Sequence, residues 1–235
     1  EIEQWDALAA VYSIAGKKHA AEAIIQRRLR ENPMDAKLWC TLGDLHNDES
    51  FYHEAWRRSH HRHSRSQRSL ATYKMRSKDY AAAATHWSKA LVLNPLNPNA
   101  WFNLGFCLLR TQDFIGALNA FTRVTQQEPD NGEAWNNAAA LWMQLRRFRR
   151  AFYALNEAVK LKRENWQLWE NFARAALASR QHTQAVRGLA QALELSRGER
   201  LHTDSATGVV RSLERLGRRV ERDRSRVARL RAVWE

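Results

Sequence analysis

Tryptophan recurs along this chain at an interval of 34 residues, and that interval constrains the fold more than any other feature. The tryptophans that share it are Trp5 and Trp39, followed by Trp101, Trp135 and Trp169. The same shift superposes small residues at Ala83, Ala117, Ala151 and Ala185, and bulky residues at Trp87, Phe121, Leu155 and Leu189. Because independent positions agree on one interval, the chain is predicted to repeat a single structural unit.

The residues within one unit indicate two antiparallel helices. Trp101 and Leu104 begin an apolar stripe at helical spacing on the first helix. Gly105 and Ala117 are small, as the close approach of two helices requires. Pro129 ends the second helix, because proline lacks the backbone N–H that a helix interior needs. These features are typical of the tetratricopeptide repeat and predict an all-α, superhelical solenoid of about six helix-turn-helix repeats.

The repeat predicts where the units begin and end. A tandem array is expected over residues 1–197, with units near 2–35, 36–63, 64–97, 98–131, 132–165 and 166–197. The second unit spans only 28 residues, so its second helix is predicted to be short and the solenoid to kink there. The period fades in the Arg-rich segment 198–235, where capping or partner helices are expected. We also expect a longer parent protein, because the sequence begins at Glu1 and stops within a helical pattern.

Five segments are more specific than the repeat pattern. They are LWCTLGD at 38–44, YHEAWRRS at 52–59, RSQRSLA at 65–71, PDNGEAWNN at 129–137 and ENWQLWEN at 164–171. Over residues 38 to 195 the chain resembles the tetratricopeptide repeat protein 27 family. The resemblance implies a non-enzymatic adaptor associated with Hsp90 and the R2TP co-chaperone machinery, acting in assembly of the spliceosomal U5 particle. Fungal relatives are tied to cell-wall integrity. The heavy use of arginine departs from the family.

The sequence lacks the motifs of common enzyme and metal sites. It contains no Gly-rich phosphate loop, H-E-x-x-H, C-x-x-C or nucleophile elbow, so no enzyme, cofactor or small-molecule substrate is predicted. His60, His61 and His63 lack a second pair of ligands at zinc spacing, so no metal is predicted. Cys40 and Cys107 adjoin core positions and are expected to be buried and unreactive.

The location follows from two further absences in the sequence. No apolar run approaches the ~18 residues of a membrane helix, so a soluble protein without membrane contact is predicted. Two cysteines and no secretory leader indicate a reducing compartment, the cytoplasm, with the nucleus as the alternative.

The sixth residue of three consecutive units is asparagine. We call this set, Asn103, Asn137 and Asn171, the asparagine ladder. An amide both donates and accepts, so the ladder is predicted to bind the backbone of an extended partner segment in the concave groove. The alternative is that the three asparagines are inherited with the repeat and pack against the next helix. Other residues expected on this face are Phe102, Phe106, Asn136, Met143, Glu170 and Arg174, with Arg65, Arg68 and Met75 from the third unit.

The mixture of apolar and basic groups on this face suits an acidic-hydrophobic peptide. Some tetratricopeptide domains clamp the terminal carboxylate of Hsp70 or Hsp90 with lysine, arginine and asparagine. Reading this chain from the third unit places Glu133 among those positions, where it would repel a carboxylate. No such clamp is therefore predicted, and any chaperone contact is expected to be indirect or elsewhere.

The formal charge of +13 is concentrated near the turns between helices. We call this set the basic edge: Arg57, Arg58, Arg62, Arg76, Lys78, Arg146, Arg147, Arg149 and Arg150, with Lys17, Lys18 and His19 in the first unit. Such a stripe could neutralise RNA phosphates, and solvated turn charge is the alternative. Three hypotheses follow: a protein-binding adaptor, an RNA-associated scaffold in ribonucleoprotein assembly, and a regulatory module of an enzyme on a longer chain.

Overall fold

The computed structural model describes residues 18–196, and every regular element in that range is an α-helix. The eleven helices of this range are α1 (Lys18–Glu31), α2 (Ala36–His46), α3 (Glu49–Arg58), α4 (Ser64–Arg76), α5 (Tyr80–Leu93), α6 (Pro98–Arg110), α7 (Phe114–Gln127), α8 (Gly132–Gln144), α9 (Phe148–Leu161), α10 (Trp166–Ala178) and α11 (His182–Ser196). Trp5, Lys17 and the expected helices of segment 198–235 lie outside the described residues.

The helices begin where short polar side chains satisfy their free backbone N–H groups. Asn97, Asn131 and Asn165 precede α6, α8 and α10, and each accepts from backbone N–H groups in the first turn. Pro98 follows Asn97 at the first helical position, where a missing N–H costs nothing. The repeating asparagine caps therefore fix the start of the first helix in three consecutive units.

The periodic tryptophans stabilise the junctions before α2, α6, α8 and α10. The indole N–H of Trp39 donates to the carbonyl of Pro33 at 2.9 Å, and that of Trp101 to Pro95 at 2.8 Å. Trp135 donates to Pro129 at 2.9 Å, and Trp169 donates to Arg163 at 2.8 Å. Each tryptophan thus bonds a carbonyl six residues earlier, in the loop before its own helix.

The chain divides into two compact units, Glu1–Ala120 and Phe121–Glu235. In the first unit α2 packs on α3, α4 on α5 and α5 on α6. Gly43 is required on α2 because a Cβ there would overlap the ring of Tyr52 on α3. Helix α3 has 10 residues whereas α5 has 14, which confirms the short second helix predicted for residues 36–63.

In the second unit α8 packs on α9, α9 on α10 and α10 on α11. Leu155 and Phe172 are fully buried at the centre of its core, with alanines filling the closest approaches. A Cβ on Gly188 would lie 2.7 Å from a ring carbon of Phe172, so α10 and α11 can pack at this separation only over glycine. Within residues 18–196 no helix is long and apolar enough to cross a membrane.

Candidate functional site

The asparagine ladder occupies equivalent positions on three first helices. Asn103 lies on α6 in the first unit, and Asn137 and Asn171 lie on α8 and α10 in the second. All three side chains are half-buried. Within the described residues the structure gives none of these three amides a side-chain hydrogen bond, whereas the capping asparagines use theirs on the backbone. The ladder amides are therefore not occupied by the repeat's own packing, and their role in binding stays a prediction.

The other residues predicted on the concave face differ in how accessible they are. Asn136 is half-buried, and its Oδ1 is buried without a hydrogen-bond partner. Arg174 is exposed, and Phe106 is 36 % exposed with its ring edge-on to Tyr80 at 5.9 Å. Phe102 is half-buried.

One of those expectations is wrong, and two methionines also pack on the cores. Glu170 is only 4 % exposed, so its carboxylate is withdrawn from the surface by packing and is not part of an accessible face. Met143 is half-buried because it packs on the core of the second unit. Met75 packs on the core of the first unit, and its Sδ accepts from the indole N–H of Trp87 at 3.2 Å. These two methionines serve the cores as well as the face.

The first unit contains an open groove of about 350 Å³ between α2 and the start of α6. We call it the Arg68 groove, and its walls include Asp44, Tyr52, Arg65, Arg68, Arg76 and Trp87. Arg65 donates to one oxygen of Asp44 at 3.0 Å, and the Tyr52 hydroxyl donates to the other at 2.8 Å. Burial and this bond to Asp44 raise the pKa of Tyr52 well above its usual range.

Two arginines of the predicted basic edge are already paired. Arg57 donates twice to Glu54, at 2.9 and 2.7 Å, and Arg58 donates to the same carboxylate and to the carbonyl of Pro33. The guanidinium of Arg58 also stacks on Trp39 at 4.5 Å. Hydrogen bonds from Arg57 and then Arg58 lower the pKa of Glu54 to about 2. Both guanidinium groups are thus engaged within the protein, contrary to a free phosphate-binding stripe at this point.

The four arginines around the turn between α8 and α9 are unpaired. We call Arg146, Arg147, Arg149 and Arg150 the Arg turn. All four are exposed, and in the described part of the chain none of them makes an ion pair. Arg150 stacks on Trp142 at 4.7 Å. Arg147 is the N-cap of α9 and makes no side-chain capping bond. Of the remaining basic-edge residues, Arg62 and Lys78 are exposed, and Arg76 donates to Asn47 at 3.2 Å.

Both cysteines are buried, as predicted from their neighbours in the repeat. Burial raises the pKa of the Cys40 thiol to about 12 and that of Cys107 to about 11. Thiols that stay protonated are poor nucleophiles, so the two side chains act as small core residues. Between residues 18 and 196 no three His, Cys, Asp or Glu side chains lie close enough together to hold a metal ion.

Glu133 and Lys162 illustrate why the carboxylate clamp was not expected. Glu133 is exposed in the first turn of α8, and its carboxylate accepts from Lys162 at 2.5 Å. An acidic side chain therefore occupies a position where the clamp needs an asparagine or a cation.

Comparison with known proteins supports the repeat assignment. A tetratricopeptide repeat model matches residues 74–141. The tetratricopeptide repeat protein 27 homolog of Dictyostelium discoideum is 39% identical over 104 residues, which is 44% of this chain and 12% of that protein. The tetratricopeptide repeat-containing protein trd-1 of Caenorhabditis elegans is 31% identical over 107 residues, 46% of this chain and 14% of that protein. The matched part thus spans a small share of these longer relatives.

A solved structure supports the fold in the same way. It is described as YrrB, a TPR protein with an unusual peptide-binding site, and it matches with a TM-score of 0.55 and 20% identity over 68% of this chain and 86% of that one. The all-α tetratricopeptide solenoid class and the resemblance to tetratricopeptide repeat protein 27, both predicted from the sequence, are confirmed.

Proposed function

Because the chain carries tetratricopeptide repeats, we propose that it is a non-catalytic adaptor that holds an extended segment of a partner protein against the first helices of its repeats. The main support for the proposal is that two side-chain amides on α8 lack hydrogen-bond partners within the described residues. Asn137 has no side-chain hydrogen bond within the described residues, and the buried Oδ1 of Asn136 has no partner. A buried acceptor without a donor is costly, and the backbone N–H of a bound segment would relieve that cost.

Two further observations support the same proposal. Asn103 on α6 and Asn171 on α10 occupy the same position in their helices as Asn137, and within the described residues neither side chain makes a hydrogen bond. YrrB is a TPR protein with an unusual peptide-binding site, so a protein of this fold can bind a peptide. Repeat arrays commonly use the face formed by successive units for binding.

The resemblance gives the adaptor a more specific setting. The similarity to the tetratricopeptide repeat protein 27 homolog supports the family resemblance. That resemblance implies a co-chaperone-linked assembly factor for the spliceosomal U5 particle, with U5 proteins and the Hsp90/R2TP machinery as the partners that we propose. Such a role suits the cytoplasm, or the nucleus. That role concerns a whole protein of the family, whereas this chain matches 12% of the Dictyostelium discoideum homolog.

The test is affinity capture from lysate with the parent chain and a variant carrying Asn103→Ala, Asn137→Ala and Asn171→Ala, each with and without nuclease. We expect the variant to lose partners that survive nuclease on the parent, because the ladder amides pair with their backbone. Asn119→Ala is the matched control, since Asn119 is exposed on α7 outside the ladder register. Thermal unfolding checks that the variant is folded. A folded variant that captures the same proteins contradicts the role of the ladder.

The Arg turn favours a second candidate function, an RNA-associated scaffold. Four exposed arginines without ion pairs surround the N-terminus of α9, where the helix dipole is itself positive. Phosphates of RNA would neutralise this charge and release counterions, which makes the affinity strongly salt-dependent.

The second candidate is tested by RNA binding as a function of salt. We expect changing all four arginines of the Arg turn to Glu to abolish binding, and the parent affinity to fall steeply between about 50 and 200 mM salt. The matched control carries the same four-charge reversal at Arg27, Arg30, Arg123 and Arg187, which are exposed elsewhere. A flat salt response, or equal loss in the control, would remove the RNA candidate.

A further inference from the structure

The Arg68 groove contains a cation that no residue in the described range 18–196 neutralises. Arg65 and Arg76, which also line the groove, donate to Asp44 and Asn47. Arg68 lies between them in sequence on α4, is half-buried, and has its Nε buried without a hydrogen-bond partner. Burying a guanidinium N–H without a hydrogen-bond acceptor costs free energy. Arg68 is therefore ready to donate to an anionic group of a partner.

The acceptors near Arg68 are already in use. Each carboxylate oxygen of Asp44 already accepts one hydrogen bond, one from Arg65 at 3.0 Å and the other from the Tyr52 hydroxyl at 2.8 Å. The hydroxyl of Thr72 donates to the backbone carbonyl of Arg68, which directs its proton away from the guanidinium. Glu49 is paired with Lys74 at 2.6 Å. Within the described residues none of these groups accepts a hydrogen bond from Arg68 Nε, which leaves that donor available to an acceptor from another molecule.

The electrostatics of the groove favour an anion. Three guanidinium groups face one carboxylate, Asp44, which leaves two positive charges in excess. Asn97, Asn99 and Ala100, at the N-terminus of α6, form part of the same wall, where the helix dipole adds positive potential. The field also reaches His63, whose pKa is lowered by burial first and by Arg65 second.

The shape and the walls of the groove distinguish between anions. Tyr73 and Trp87 supply aromatic surface beside the arginines, so an apolar side chain fits next to the charge. Arginine binds a carboxylate through two parallel hydrogen bonds, which suits a single flat anionic group. The carboxylate of Asp44 in the wall repels a chain of closely spaced phosphates more strongly than a single carboxylate, because the repulsion grows with the number of negative charges.

We propose that the Arg68 groove binds an acidic side chain of an extended partner segment, with the carboxylate on Arg68 and an adjacent apolar side chain against Tyr73. The inference deepens the adaptor function and rests on it, since it names the chemistry of the partner segment. It concerns the first unit alone, whereas Asn137 and Asn171 belong to the second. The two can therefore fail separately.

The experiment uses the full 235-residue chain and a fluorescein-labelled probe peptide. The probe alternates Glu and Leu over about ten residues, which spans about 33 Å when extended, and both its ends are blocked. Fluorescence anisotropy measures its affinity beside two comparison probes: the same peptide with Gln for Glu, and a uridine RNA of equal length. We expect the Glu peptide to bind about tenfold more tightly than the Gln peptide, as one charge-assisted hydrogen bond predicts.

The variants place the binding on Arg68. Arg68→Gln keeps the length of the side chain and removes its charge, and we expect it to weaken the Glu peptide about tenfold. Arg123→Gln is the matched control, because Arg123 is exposed on α7 outside the groove. This variant should bind the Glu peptide as tightly as the parent. Arg68→Glu should bind a Lys/Leu peptide that the parent rejects, a reversal that loss of structure cannot produce.

Four outcomes would overturn the inference: no binding of the Glu peptide, equal binding of the Glu and Gln peptides, an unchanged affinity in folded Arg68→Gln, or tighter binding of the RNA. The ladder variant serves as the separating control. If it loses lysate partners yet binds the Glu peptide like the parent, the groove and the ladder are independent sites. If it keeps its partners while Arg68→Gln loses the peptide, the ladder proposal fails and the groove inference stands.

Discussion

The turn between α4 and α5 and the turn between α8 and α9 share one backbone and differ in their side chains. Lys78 and Arg146 both have positive φ, 62° and 55°, and their N–H groups donate to Met75 and Met143 at 3.0 Å. The next residue donates to a carbonyl five residues back in both turns, at 2.9 Å and 2.8 Å. Asp79 then caps α5 through Ala82 N–H, whereas Arg147 leaves α9 uncapped.

The difference separates what the fold requires from what it tolerates. The left-handed residue and its two hydrogen bonds complete the helix end, and both turns keep them. The capping carboxylate stabilises a helix by about 1 kcal/mol, and the Arg turn forgoes it while adding positive charge to the positive end of a helix dipole. Asp113 retains the cap before α7, accepting from Gly116 N–H at 2.9 Å. His63 before α4 also makes no side-chain cap, so the Arg turn differs from the other turns by its exposed positive charge rather than by the missing cap alone.

The largest expected effect comes from giving the first turn the chemistry of the second. Asp79→Arg removes the capping bond and places a cation at the start of α5, so we expect the free energy of unfolding to fall by about 2 kcal/mol. Urea unfolding followed by circular dichroism measures it. Asp79→Asn is the matched control, since asparagine also caps. A loss equal to that of Asp79→Asn would show that the cap is unimportant in this turn.

The reverse change should repair the second turn. Arg147→Asp supplies a capping carboxylate to α9, and we expect the free energy of unfolding to rise by about 1 kcal/mol while RNA affinity falls. Urea unfolding and RNA titration on the same preparation report both quantities. Arg147→Ala removes the charge without adding a cap and should recover only part of the stability. A decrease in stability with Asp would mean that Arg147 has a structural role.

Removing the backbone strain at the left-handed residue should change the free energy of unfolding by a smaller amount in both turns. Arg146→Gly and Lys78→Gly should each raise the free energy of unfolding by up to about 1 kcal/mol, because glycine adopts positive φ without a Cβ penalty. Equal gains in urea unfolding would show that the two backbones are equivalent. A gain confined to one turn would show that the backbones differ in strain.

The smallest effect concerns the charge next to the cap. Arg149→Gln removes one cation from the first turn of α9 and should raise the free energy of unfolding by about 0.3–0.5 kcal/mol at low salt. Repeating the urea experiment at about 1 M salt should abolish the gain, since the Debye length is then about 3 Å. A gain that persists at high salt would assign the effect to helix propensity instead.

The period predicted much of the fold because its residues act locally. Helix pairs, the short α3 and both buried cysteines follow from spacing that the sequence displays directly. The left-handed residues were not predicted, although they also recur every 34 residues, at Lys78, Gln112, Arg146 and Arg180. None of them is glycine, so composition gave no signal for the turn.

The candidate site was less predictable because it depends on pairing and packing. The engagement of Arg57 and Arg58 had a readable signal, since Glu54 precedes them by three and four residues. Register predicted Arg65 and Arg68 on the binding face, but the Arg68 groove itself had no signal, because its walls come from several helices and its excess charge appears only after each neighbour has been paired. The amides of the asparagine ladder were identified by register, and their partner segment stays a prediction.

The indole bonds of Trp39, Trp101, Trp135 and Trp169 also have a mechanical consequence. Each bond closes a short span of chain at one junction and depends on no other junction. A chain pulled from its ends would therefore release one junction at a time, with a small extension at each step. Such a chain would lengthen in small steps under load and re-form the indole hydrogen bonds when the load is removed.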